Sequence, residues 1–282
     1  MFIITQFIGL YVVNYYSSPD KELPYGMQPP EIQQEKDFYT LFPSIIIAFV
    51  IAISLIFLLS KFNWDFVIKL WFFIVIIIAL GISFNSFLPQ FKYASLIAAL
   101  IALPLAIEKV YRRNFYIHNL TELLVYPGIA AVFVPILNIW TIIILLILIS
   151  IYDIWAVWHS GIMQKMAKYH INTLNIFPGF FVPYVSKKIK AQLSKLPKSK
   201  LKGKKVRANV AILGGGDIIF PIIAAGVMLK TLGLIPALLV TLGATLGLSY
   251  LFFFAEKRKF YPAMPYISAG IFLGMLIGWL LV

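Results

Sequence analysis

Along this chain, apolar stretches recur at about the length that one helix needs to cross a bilayer, roughly 17–25 residues. About nine can be read: 1–16, 41–60, 66–84, 93–108, 118–135, 138–163, 209–229, 232–252 and 262–282. No water reaches the bilayer core, so every backbone polar group there must be paired within the protein. That leaves helices as the solution for runs of this length. The expected fold is therefore all-α: a polytopic membrane protein that forms one helical unit over 1–282. Composition agrees. The chain is 61% hydrophobic and 12% charged, whereas soluble domains average roughly 45–50% apolar and about 25% charged. A soluble enzyme or a nucleic-acid-binding domain is excluded. There is no cysteine, which removes thiol catalysis, Cys-ligated metals and disulfides. The first stretch is short, but it lacks the positive leader and small-x-small cleavage site of a signal peptide.

Charge orients the chain. Lys and Arg concentrate in cytoplasmic loops. With a cytoplasmic N-terminus, nine spans put the C-terminus outside. Lys61, Lys69, Lys109, Arg112, Arg113, the twelve basic residues from Lys165 to Arg207, and Lys257, Arg258 and Lys259 then fall on the inner side. Lys21, Lys36, Lys92 and Lys230 fall outside, a split of 20 to 4. The opposite topology reverses it. The net charge of +13 thus points to a membrane surface rather than to nucleic acid. Spans one to six occupy 1–163, a cytoplasmic loop 164–208, and spans seven to nine 209–282. Within the loop, 176–185 is apolar but interrupted by proline and too short to span, so it is expected at the interface. The run 187–207 reads as a solvated basic segment near anionic lipid.

The acidic residues point to the chemistry. Of eleven, five lie in the first outer loop, and Asp65, Glu108 and Glu256 lie near span ends. Glu122 lies about one turn into span five. Only Asp153 and Asp217 fall deep within expected helices. A carboxyl in hydrocarbon is costly, about 2.5–3.5 kcal/mol on insertion scales, and marks a functional site by default. Counted from the cytoplasmic ends of consecutive, antiparallel spans, both lie ~14–15 Å in. Two carboxyls facing across one interface resist simultaneous ionisation and share a proton. One can then activate water while the other protonates the carbonyl oxygen or leaving amine. Asp217 closes Gly214-Gly215-Gly216-Asp217, where glycines permit close backbone approach. Asp153 follows Tyr152. The last span opens Pro262-Ala263-Met264-Pro265, where the two prolines cannot donate backbone hydrogen bonds.

The order YD, GxGD and a PAL-type motif resembles the presenilin and signal-peptide-peptidase family of intramembrane aspartyl proteases, and the layout of nine spans matches over the whole chain. The resemblance implies that Asp153 and Asp217 are the catalytic pair and that Gly214 and Gly216 are structural glycines. Tyr152, Gly215 and Pro265 join them as residues shaping the site. Pro262, Ala263 and Met264 become the segment that meets substrate, with Met264 where the family has Leu. It further implies transmembrane-helix substrates, contact with membrane lipid, and no cofactor or metal. A homo-oligomer is compatible with it. The cytoplasmic N-terminus is the presenilin orientation, and the compact layout looks like an archaeal homologue in the cell membrane. A literal Pro236-Ala237-Leu238 lies near the outer end of span eight, far from the aspartates.

Other chemistries lack their residues. There is no HExxH, and His118, His159 and His170 are scattered. Adjacent His159 and Ser160 point about 100° apart on a helix and form no dyad. A prepilin-type peptidase shares GxGD but is not expected to carry YD or the terminal motif. The alternative from another class is an ion-coupled transporter or cation leak channel using the Asp pair. Internal hydropathy repeats would mark a transporter, and none is visible.

Overall fold

The computed structural model describes all of 1–282 except residues 19, 31, 33, 63, 90, 113, 160–177, 185–208 and 255–260. Among the described residues it contains nine long helices: α1 (Phe2–Ser17), α2 (Glu35–Lys61), α3 (Asp65–Phe87), α4 (Ala94–Tyr111), α5 (Phe115–Phe133), α6 (Ile139–Trp158), α7 (Gly216–Leu232), α8 (Leu234–Phe254) and α9 (Met264–Leu280). Six are long and apolar enough to cross a membrane. The ends are set by local chemistry. Asn138 caps α6 by accepting from the Thr141 amide at 2.8 Å, and Thr141 Oγ1 accepts from the Asn138 amide at 2.8 Å, which satisfies two donors at once. Gly233, at φ +95°, provides the left-handed turn that lets α8 follow α7 directly.

The main core joins α1, α5, α6, α7, α8 and α9, including Leu10, Tyr126, Leu146, Ile222, Val240 and Ile271. A second cluster joins α3, α4 and α5, so α5 is shared by both. The tightest helix pair is α8 with α9. A Cβ on Gly243 would meet the Gly270 carbonyl oxygen, and one on Gly270 would meet that of Gly243. Gly243 and Gly247 face Gly270 and Gly274 at four-residue spacing, the small-residue packing that lets membrane helices touch backbone to backbone. By contrast, Ile45 is the one residue buried on α2. An apolar helix exposed on most of its faces is suited to lipid.

Among the described residues the nearly all-helical fold has one departure, a short sheet. The stretch 209–229, expected as one spanning helix, begins as a strand. β2 (Asn209–Gly214) pairs antiparallel with β1 (Gly179–Tyr184), in the register Gly179↔Gly214 to Tyr184↔Asn209. The described part of the segment expected at the interface is therefore a strand. Residues 160–163 of the sixth expected span, and the basic run 187–207, lie outside the described residues.

Candidate active site

Three helix ends and the sheet converge on the two acids. Asp153 lies in the penultimate turn of α6 and is buried. Its Oδ2 accepts from the Met264 amide at 3.0 Å, with the Ala263 backbone also in reach. These donors are at the start of α9, where the first turn of a helix has no internal acceptors for its N–H groups. A carboxylate satisfies them. One turn away on each helix, Ser150 Oγ donates to Ser268 Oγ at 3.0 Å, fastening α6 to α9. Asp217 occupies the first turn of α7 rather than its middle, because the strand replaces the expected leading helical turns. Asp153 and Asp217 lie within electrostatic reach of each other.

The glycines carry unequal loads. A Cβ on Gly214 would stand 3.2 Å from Asp217 Oδ2, and one on Gly215 would stand 2.9 Å from Tyr126 Oη and 3.2 Å from the Pro178 carbonyl oxygen. At Gly216 the nearest atom would be 3.7 Å away, an ordinary contact. The Gly215 amide donates to Pro178 O at 3.0 Å, tying the turn before Asp217 to the start of β1. Downstream, Pro221 provides no N–H to the Asp217 carbonyl. Gln6 of α1 donates to the Ile218 carbonyl at 3.1 Å.

Tyr152 is exposed, with its ring centroid 6.4 Å from that of Trp155. Pro262 and Met264 are buried, while Ala263 and Pro265 are half-buried at the α6–α9 junction. Pro236 and Ala237 of the literal Pro-Ala-Leu run are buried in the core, and Pro236 packs on Gly278 at the far end of α9.

One group near the site was not singled out from sequence. Glu122 on α5 pairs with Lys109 on α4 at 2.7 Å, with both side chains buried, and His118 Nε2 lies 3.6 Å from the same carboxylate. His118 and Glu122 are four residues apart on one helix, a spacing that puts them on one face. That spacing was the available signal; Lys109, expected in a loop, lies inside α4.

A family model described as signal-peptide peptidase, presenilin aspartyl protease matches residues 1–282. The chain belongs to this family. As a presenilin-family protein it is an intramembrane aspartyl protease with multiple membrane-associated helices. Its fold is similar to two solved structures of a presenilin family intramembrane aspartate protease. One, in a C222 space group, is 20% identical, with a TM-score of 0.60 over 100% of this chain and 95% of that one. The other, in a P2 space group, is 19% identical, with a TM-score of 0.64 over 100% and 96%. No curated protein matches.

Proposed function

We propose that this presenilin-family protease hydrolyses peptide bonds within transmembrane helices of its substrates, using Asp153 and Asp217 as a dyad that shares one proton. The observation that carries the reading is the convergence of α6, α7 and α9, with Asp153 on the Met264 amide and Asp217 within electrostatic reach of Asp153. In the step proposed, one carboxylate removes a proton from water as its oxygen attacks the scissile carbonyl carbon. The protonated partner donates to the carbonyl oxygen. Collapse of the tetrahedral intermediate breaks the C–N bond, and a proton passes to the leaving amine. The membrane-embedded carboxyl pair is also what a transporter would need, but the family to which the chain belongs favours hydrolysis.

A helical substrate hides its carbonyls in hydrogen bonds and has to be unwound first. The sheet supports such a role. Among the described residues it has two strands, and side chains of α5 occupy the outer edge of β1: Asn119 bonds Phe181, while His118 and Glu122 bond Gly179. The edge of β2 is where an extended substrate segment can add as a strand, running toward Asp217. Pro262–Pro265 would border that segment from the α9 side. The charge split supports an N-terminus in the cytoplasm and a cleavage site near the cytoplasmic ends of α6 and α7.

The test is direct. Purified protein in lipid is incubated with a single-span reporter, and the fragments are identified by mass. New termini inside the span are expected. An intact reporter under conditions where it inserts correctly would overturn the reading.

A further inference from the structure

The polar face of α5 does more than fill space beside the sheet. Asn119 Nδ2 donates to Phe181 O at 2.8 Å, and Phe181 N donates to Asn119 Oδ1 at 3.1 Å. One carboxamide thus bonds β1 as the peptide group of a neighbouring strand would. Two residues back, Gly179 N donates to Glu122 Oε1 at 3.3 Å, and His118 Nε2 lies 2.9 Å from Gly179 O. Residues 179 and 181 share one edge of the strand. Pro183, the next on that edge, has no N–H to satisfy. Glu122 is in turn held by Lys109 of α4 at 2.7 Å. β1 is therefore fastened at a fixed height along α5, and α5 is tied to α4.

That height is passed on. Gly179 pairs with Gly214, and Pro178 O accepts from Gly215, so the position of β1 fixes the turn that presents Asp217. A buried ion pair adds little net stability compared with well-packed apolar side chains. Packing alone would be met by Leu or Met at these positions.

We infer that His118, Asn119 and Glu122 are positioning residues that set the register of the sheet against the aspartates, and thereby which substrate bond is cut. The inference rests on the dyad reading and on strand addition at β2. A slip of two residues is the smallest that keeps each side chain on its face. It moves a strand by roughly 7 Å, enough to bring a different peptide bond to the acids.

The experiment compares two double variants on the reporter, with fragment masses, kcat, KM and thermal stability measured for each. Lys109→Met/Glu122→Gln removes both charges but keeps an acceptor for the Gly179 amide. Lys109→Met/Glu122→Leu is as neutral and nearly the same size but has no acceptor. The Gln variant is expected to give the wild-type fragment pattern. The Leu variant is expected to spread cleavage to neighbouring bonds and to lose about tenfold in kcat, at similar thermal stability. Asn119→Ala should spread cleavage in the same way. If the Leu variant cuts at the wild-type bond with wild-type kcat, the inference is overturned. So it is if both doubles lose stability together with no change in pattern, which is what a merely structural role gives. Asp153→Asn is run alongside: if it still cuts the reporter, the dyad reading fails instead of this one.

Discussion

Asp153 is held by backbone amides at the start of α9, and Asp217 by the turn that ends β2. Each carboxyl therefore depends on a different chain crossing. An amide in place of either acid keeps the size of the side chain but cannot exchange a proton with water or carbonyl oxygen. Asp153→Asn and Asp217→Asn are each expected to cut turnover by roughly 10⁴-fold or more, the scale for removing one member of a catalytic unit, while the protein stays folded in detergent. Near-normal turnover by either variant would remove that residue from the dyad. Gly214 offers a finer probe. An added methyl group would press on Asp217 Oδ2 from 3.2 Å, so the carboxylate has to give way by a few tenths of an ångström. Gly214→Ala is expected to lower kcat about tenfold or more with KM little changed, as steady-state kinetics on the reporter would read.

Helices were legible because an apolar run of about 20 residues in a membrane has one backbone solution; α3, α4 and α8 begin within two residues of where the sequence put them. The strands were not. Asn209–Gly214 and Gly179–Tyr184 are short apolar runs, and periodicity cannot tell such a run from part of a buried helix. The first also abuts a real helix, so the two merge into one apparent span. The three glycines at 214–216 were the break, read from sequence as a feature inside a helix. The clue to the acids was their expected pairing across consecutive spans, and Asp217 opens α7 rather than lying deep in it. The role of α9 also depends on an element-level contact, its backbone packing on α8. Gly270→Ala would drive a Cβ into the Gly243 carbonyl oxygen, and backbone cannot step aside as a side chain can. Overpacking of this kind costs about 1–3 kcal/mol or more. The variant is expected to melt earlier and to lose activity as α9 withdraws the Met264 amide from Asp153. A Gly270→Ala protein with unchanged melting and turnover would mean that α9 can slide on α8 without disturbing the site.

At the scale of the whole molecule, the charges sort by end. Lys230, near the C-terminal end of α7, donates to the Pro135 carbonyl at 3.2 Å and lies over the Phe38 ring, so the loops before α2 and α6 and after α7 share one end of the bundle. That end carries few basic residues. Lys61 and Arg112 belong to the other, where Asp153 and Asp217 also lie. Lys109 is the exception to a simple loop count, because it is buried against Glu122 and cannot meet lipid headgroups. Removing it from the tally leaves nineteen inner basic residues against four outer ones, so the orientation argument stands without it. A juxtamembrane Lys or Arg contributes about 1 kcal/mol of attraction to an anionic cytoplasmic leaflet, and the difference between the two faces accumulates over the set. The expected outcome is that protease added to sealed inside-out vesicles cuts within 187–205, and that protease added to right-side-out cells does not. A tag after Val282 should behave in the opposite way. A C-terminal tag reached only from the cytoplasm would require an even number of crossings or an inverted molecule. An inverted molecule would move the acids to the outer side, and substrates would then have to be cut near their outer ends.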